Sequence, residues 1–177
     1  ADSAPFDIEP GLLDPRTVIE AIDAVVPKDW DIVVGGGHQA YFNTQMRGRP
    51  AERYTTVREF GAVGNGLSYA LGVAAARRQG HEGKIVLFEG DGGLLFHIQE
   101  LETLKRLGFR ILICAMKDGG YGTESHKPRA DGLDDGRQLL VGHHLVGHVY
   151  AEAGDPDSRT LHRAEHQATT ALPRRSA

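Results

Sequence analysis

The chain has 177 residues, of which 40% are apolar and 25% charged, with a formal net charge of −4. Those values suit one globular domain with a full core, and the acidic balance gives no basic footprint for nucleic acid. No apolar run reaches membrane-spanning length, and the single cysteine, Cys114, excludes an internal disulfide. A soluble, cytoplasmic protein is the expectation, with Cys114 a small core residue inside a buried strand.

Residues 1–13, rich in Pro and Asp, read as an N-terminal arm or linker. Asp14-Pro15 is a helix opening, with Asp as N-cap and Pro at the first helical position. Val18, Ile19, Ile22, Val25 and Val26 then mark an apolar helical face that ends at Pro27. Residues 30–34 (WDIVV) predict the first strand, followed by a glycine loop with a polar tip, Gly35-Gly36-Gly37-His38-Gln39. The polar, basic stretch 45–54 predicts a surface loop leading to a short strand at 54–57. A second glycine-rich loop, Gly61-Ala62-Val63-Gly64-Asn65-Gly66, opens a helix rich in small residues that runs through Ala76.

Residues 85–88 and 111–116 are apolar runs without polar alternation, which predicts buried parallel strands. Between them Leu94, Leu95, Ile98, Leu101, Leu104 and Leu107 recur at three- and four-residue steps, predicting one helix stopped by Gly108. The loops after these two strands are Glu89-Gly90-Asp91-Gly92-Gly93 and Lys117-Asp118-Gly119-Gly120-Tyr121-Gly122. Both fall at carboxyl ends of parallel strands, the edge where open α/β sheets bind ligands. Glycines admit close approach of backbone N–H groups to a phosphate, and hard carboxylate oxygens suit Mg²⁺. The residues alone therefore point to a Mg²⁺–diphosphate site divided between two loops. Taken one at a time, each is an ordinary Asp-Gly turn.

A GDG triplet, a helix, a strand and then Asp-Gly-Gly resembles the thiamine-diphosphate signature. The chain is similar, over residues 12–135, to the C-terminal, diphosphate-binding domain of acetolactate-synthase-like enzymes. The resemblance implies an open parallel α/β sheet with helices on both faces, incomplete at the C-terminus. It implies that the Asp91 and Asp118 side chains and the Gly120 carbonyl ligate Mg²⁺. It places Gly90, Gly92, Gly93 and Tyr121 at thiamine diphosphate, with the N–H groups of Gly92 and Gly93 on the diphosphate. The family usually has Asn where Asp118 stands. The loop Gly37-His38-Gln39 resembles the Gly-Gln-His-Gln loop at the diphosphate end, with Gly37 where the family has Gln. In the loop Gly61-Ala62-Val63, the Gly61 carbonyl would hold the 4′-amino group, and Val63 would support the bend between the two rings.

The implied activity is decarboxylation of a 2-keto acid, ending in protonation or in joining to a second carbonyl. The glutamate that activates the cofactor in this family sits on a separate pyrimidine-binding domain supplied across a dimer interface, and neither Glu59 nor Glu124 is assigned its role. This chain alone is expected to be inactive and to act as a homo- or hetero-oligomer with that domain. Two alternatives stand beside the carboligase half-site: the cofactor-binding subunit of a two-subunit 2-keto-acid decarboxylase, and a non-catalytic α/β binding module. The domain is expected over residues 14–135, with 136–177 an atypical, poorly ordered tail. A short strand at 139–141 or 145–150 is the only regular element predicted there. The arm-like start and the changed text after Gly136 fit a fragment of a longer enzyme, or a shift of reading frame. The tail also holds His162-Arg-Ala-Glu165-His166, an inverted zinc-peptidase pattern, and a His144/His148 pair at helical spacing. No acidic residue follows to complete a zinc site, so both are read as chance.

Overall fold

A computed structural model describes residues 5, 7–8, 11–56, 59–78, 84–118, 121–122 and 147–150. The side chains of Glu59, Arg78 and residues 147–150 lie outside that description. Helix α1 (Pro15–Val25) begins as its sequence dictates: the Asp14 carboxylate accepts the Arg16 N–H at 2.8 Å and Pro15 occupies the first turn. The Arg16 guanidinium folds back onto the same carboxylate and holds Asp14 below its ordinary pKa. Strands β1 (Asp31–Val34), β2 (Tyr54–Thr56), β3 (Ile85–Gly90) and β4 (Ile111–Met116) are mutually parallel, in the order β2-β1-β3-β4. A fifth strand, β5 (Gly147–Tyr150), joins the free edge of β4 in antiparallel sense.

Every residue of β1 is buried, as are the first five of β3 and of β4. Such strands must be covered on both faces, and they are. On one face Ile32, Val34, Val86, Phe88, Leu112 and Cys114 pack with Ile19, Ile22 and Val26 of the α1 segment and with Ala40 of helix α2 (Gln39–Phe42). On the other, Val33, Ile85, Leu87, Ile111, Ile113 and Ala115 meet Leu67, Ala70 and Ala74 of helix α3 (Gly66–Arg78). The same layer holds Leu94 of helix α4 (Asp91–Phe96) and Leu104 of helix α5 (Glu100–Leu107). Small residues on α3 let it lie close to the sheet. Its far end is tied down by Arg77, whose guanidinium grips the buried Asp31 carboxylate at the start of β1. Cys114 is a buried core residue, and burial pushes its thiol up to about 12.

Several expectations are corrected. The single helix through 94–107 is two helices, because the chain leaves helical geometry at His97 (φ −127°, ψ 25°) and turns through residues 97–99. Leu95 and Ile98 consequently stand 65% and 44% exposed instead of in the core. Gly108 does end α5, in the left-handed conformation at φ 65°. The basic stretch 45–54 is not simply a surface loop. Arg49 is buried and donates to the Pro27, Val26 and Asp23 oxygens, closing the carbonyl end of α1. Trp30 precedes β1 and packs in the core. Of the two strands offered for the tail, the one within 145–150 is present; His148 lies in it, which removes the helical spacing with His144. His144, His162, Glu165 and His166 lie outside the described residues.

Leu104 is fully buried between α5 and the sheet. Leu104→Ala is expected to destabilise the chain by about 2–5 kcal/mol. Urea denaturation checks this as a lower midpoint with an unchanged slope.

Candidate functional site

The order β2-β1-β3-β4 means that the chain grows leftward from β1 and then returns to grow rightward through β3. The reversal lies between β1 and β3, the place where open α/β sheets bind ligands beyond the carboxyl ends of their strands. Four loops meet at that edge. The β1 loop and the bend loop touch where the Gly36 Cα lies against the Ala62 carbonyl, leaving no room for a Cβ. The bend loop touches α4 where Gly64, at φ +94°, packs on Phe96 and the Gly93 carbonyl. His97 Nδ1–H donates to the Gly64 carbonyl at 2.6 Å, which is why the helix breaks at that residue. The β4 loop closes the group: the Tyr121 ring covers the Cα of Gly92, and Phe96 and Tyr121 rings lie 6.4 Å apart.

The register Gly90↔Met116 carries Asp91 and Asp118 off the same edge of two neighbouring strands. Asp91 is the first residue of α4, with its Oδ1 buried; Asp118 follows β4 and is exposed. Gly90 has no side chain to cap α4, so the N–H groups of Gly92 and Gly93 belong to a helix start without a side-chain cap. The Asp118 carboxylate and His38 Nδ1 both converge on the Cα of Gly122. His38 makes no capping hydrogen bond to α2. Gly37 is exposed at φ +134°, whereas Gln39 turns inward and donates to the Gly36 and Gly35 carbonyls at 3.0 and 3.3 Å. Gly61, at φ +64°, has open space around it, and Val63 is 40% exposed beside it. Gly120, the Glu59 side chain and Glu124 lie outside the described residues. Among the described residues, no group of three or more His, Cys, Asp or Glu side chains is gathered for a metal. Two carboxylates completed by a carbonyl, water and phosphate oxygens is nevertheless a normal Mg²⁺ arrangement.

One residue at this edge was read from sequence as part of a loop and is not. Glu89 is the penultimate residue of β3 and is fully buried. Its Oε2 accepts the Gly66 N–H at 3.0 Å; its Oε1 accepts the Gly90 N–H at 3.3 Å and lies 3.5 Å from the Gln39 amide nitrogen. Burial raises its pKa to about 7, against the opposing pull of the Gly90 and Gly66 N–H groups and of His97. The available signal was an acidic residue closing an otherwise apolar run, Ile85-Val-Leu-Phe-Glu89, where a buried strand has no reason to end in a charge.

A carboxyl group whose pKa is higher in the folded than in the unfolded chain stabilises the fold fully below the unfolded value of 4.5. That contribution is lost as pH rises towards about 7. Relative to Glu89→Gln, the metal-free native chain should therefore lose about 3 kcal/mol of stability across that interval. Chemical denaturation at a series of pH values measures the difference; a flat difference curve would refute the assignment.

The family described as "Thiamine pyrophosphate enzyme, C-terminal TPP binding domain" matches residues 35–153. Pyruvate decarboxylase isozyme 2 of Saccharomyces cerevisiae is 29% identical over 108 residues, covering 59% of this chain and 19% of that protein. A protein assigned as an acetolactate synthase large subunit, IlvB2, of Mycobacterium tuberculosis is 35% identical over 71 residues, covering 40% of this chain and 12% of that protein. The crystal structure of benzoylformate decarboxylase from Polynucleobacter necessarius superposes with a TM-score of 0.67 at 16% identity. That match takes in 97% of this chain and 32% of the other, and shares the fold. The chain thus spans under a third of the length of each of these three relatives. Matched along most of its length, the chain belongs to the thiamine pyrophosphate enzymes, through their C-terminal TPP-binding domain.

Proposed function

We propose that this chain is the diphosphate-binding half of a thiamine-diphosphate-dependent enzyme that decarboxylates 2-keto acids or joins them to a second carbonyl. A pyrimidine-binding domain, from another chain or another segment, completes it. The observation that carries the reading is the β3–β4 register, which delivers Asp91 and Asp118 to one edge beside the reversal of the sheet. In this proposal the working unit is residues 14–135, with 1–13 an arm and β5 added to its edge from residues 136–177.

The residues present fit the group. Asp91, Asp118 and the Gly120 carbonyl hold Mg²⁺, and the Gly92 and Gly93 N–H groups donate to the diphosphate. Gly90 and Tyr121 wall that end, with Gly37, His38 and Gln39 forming the loop opposite. The Gly61 carbonyl accepts from the 4′-amino group, while Ala62 and Val63 support the bend. Thiamine diphosphate, when bound, supplies the nucleophilic carbon for attack on the keto group. Phe60 and Val63 in the loop before α3, and Phe96 and Tyr121 beside it, are exposed apolar residues at this edge, and Leu95 and Ile98 flanking Phe96 are exposed as well. Exposed apolar side chains at this edge support a covering domain, which would exclude water and bring the activating glutamate. No helix among the described residues is long and apolar enough to cross a membrane. The lone buried cysteine fits a reducing cytoplasm.

Titration calorimetry with thiamine diphosphate, with and without Mg²⁺, tests the reading. Native chain should bind only with the metal, and Asp91→Ala should weaken binding by at least tenfold, about 1.4 kcal/mol. Asp118→Asn, which keeps an oxygen ligand, should retain binding to within tenfold, whereas Asp118→Ala should not. Binding indifferent to Mg²⁺ and to Asp91 would instead support a non-catalytic module. Release of carbon dioxide from 2-keto acids should be absent for the chain alone and appear on addition of a pyrimidine-binding partner.

A further inference from the structure

The Glu89 carboxyl group occupies a space enclosed by three glycines from three elements. Gly35 lies at the end of β1, Gly66 at the start of α3 and Gly93 in α4. A Cβ built on any of the three would collide with its carboxyl atoms. It accepts the Gly66 N–H from the start of α3, meets the Gln39 side chain from α2, and also accepts the N–H of Gly90, the next residue of its own strand, from which the α4 loop departs. Burying a carboxyl group with no lysine or arginine among these partners is costly, and a methionine or leucine would fill the same volume without that cost. A choice that opposes stability and is accommodated by three glycines is the mark of a functional constraint.

We propose that Glu89 is the positioning residue of this edge: its carboxyl group sets the separation between the bend loop ending at Gly66 and the diphosphate loop beginning at Gly90. This role rests on the cofactor reading above. A ligand gripped at two points, rings by one loop and diphosphate by the other, requires that separation to be fixed before it arrives. A ligand gripped only at the diphosphate does not.

The experiment uses the whole chain with Glu89→Gln, which keeps an acceptor oxygen, and Glu89→Leu, which keeps only volume. Each is titrated in Mg²⁺ with thiamine diphosphate and with inorganic pyrophosphate, after thermal melts establish that it is folded. Glu89→Leu should bind thiamine diphosphate at least tenfold more weakly than native while binding pyrophosphate within threefold. Glu89→Gln should restore both to within threefold. Amide hydrogen exchange should accelerate at Gly66 and Gly90 in Glu89→Leu, and remain native-like through β4. If native chain binds with Mg²⁺ and Glu89→Leu matches it, the role of Glu89 is overturned and the cofactor reading stands. Equal weakening of both ligands, or no rescue by Glu89→Gln, also overturns it. If native chain shows no Mg²⁺-dependent binding of either ligand, the cofactor reading fails and this role fails with it.

Discussion

Glu89 lies where the chain has returned across β1 to lay down β3, and its side chain is fully buried between the glycines of the neighbouring segments. A carboxyl group there must be solvated by something, and the surrounding backbone supplies it. Gly66 N–H and Gly90 N–H donate, and Gln39 approaches from α2. Gly90 is the next residue of the same strand, whereas Gly66 and Gln39 are distant in the chain, so satisfying one buried acid holds the starts of α3 and α2 against the end of β3. The glycines at 35, 66 and 93 follow from the same requirement, since a Cβ at any of them would displace the carboxyl group. The spacing of the loops at this edge is thereby a consequence of polar satisfaction inside the protein.

Around that centre, helix α3 is held at both ends by acids of neighbouring strands. Arg77 near its last turn grips Asp31 at the start of β1, and the first N–H of the helix meets Glu89 at the end of β3. Its small residues bring it against the sheet between these two fixed points. The bend loop before α3 is fixed from the other side by Phe96 and by the His97 hydrogen bond to Gly64. The break between α4 and α5 is the local cost of that contact. Leu95, Phe96 and Ile98, at or beside the break, stand exposed instead of in the core. Packing within the domain and this apolar exposure thus meet at one turn of three residues.

Much of this was legible in the residues. Uninterrupted apolar runs at 85–88 and 111–116 announced strands covered on both faces, because only a doubly buried strand dispenses with polar alternation. Asp14-Pro15 and Gly108 marked helix ends by local chemistry alone, and the apolar runs placed Asp91 and Asp118 at the carboxyl ends of neighbouring strands. These signals are short-range, carried by a capping side chain, a φ angle or a periodicity. Even so, the apolar period across 94–107 concealed a break, since Leu95 and Ile98 continue the helical spacing while facing outward.

Local chemistry in the chain determined the buried parallel strands, the start of α1 and the end of α5, because those depend on neighbours a few residues away. Tertiary structure alone decided that Glu89 points inward and not into a loop, and that Arg49 leaves the surface to close α1. It also decided that β5 pairs antiparallel with β4. In each case the deciding partner is distant in the chain: Gly66 for Glu89, Val26 for Arg49, Ile113 for Val149. A buried polar group takes the direction of whatever can satisfy it, and only the assembled fold places that partner within reach.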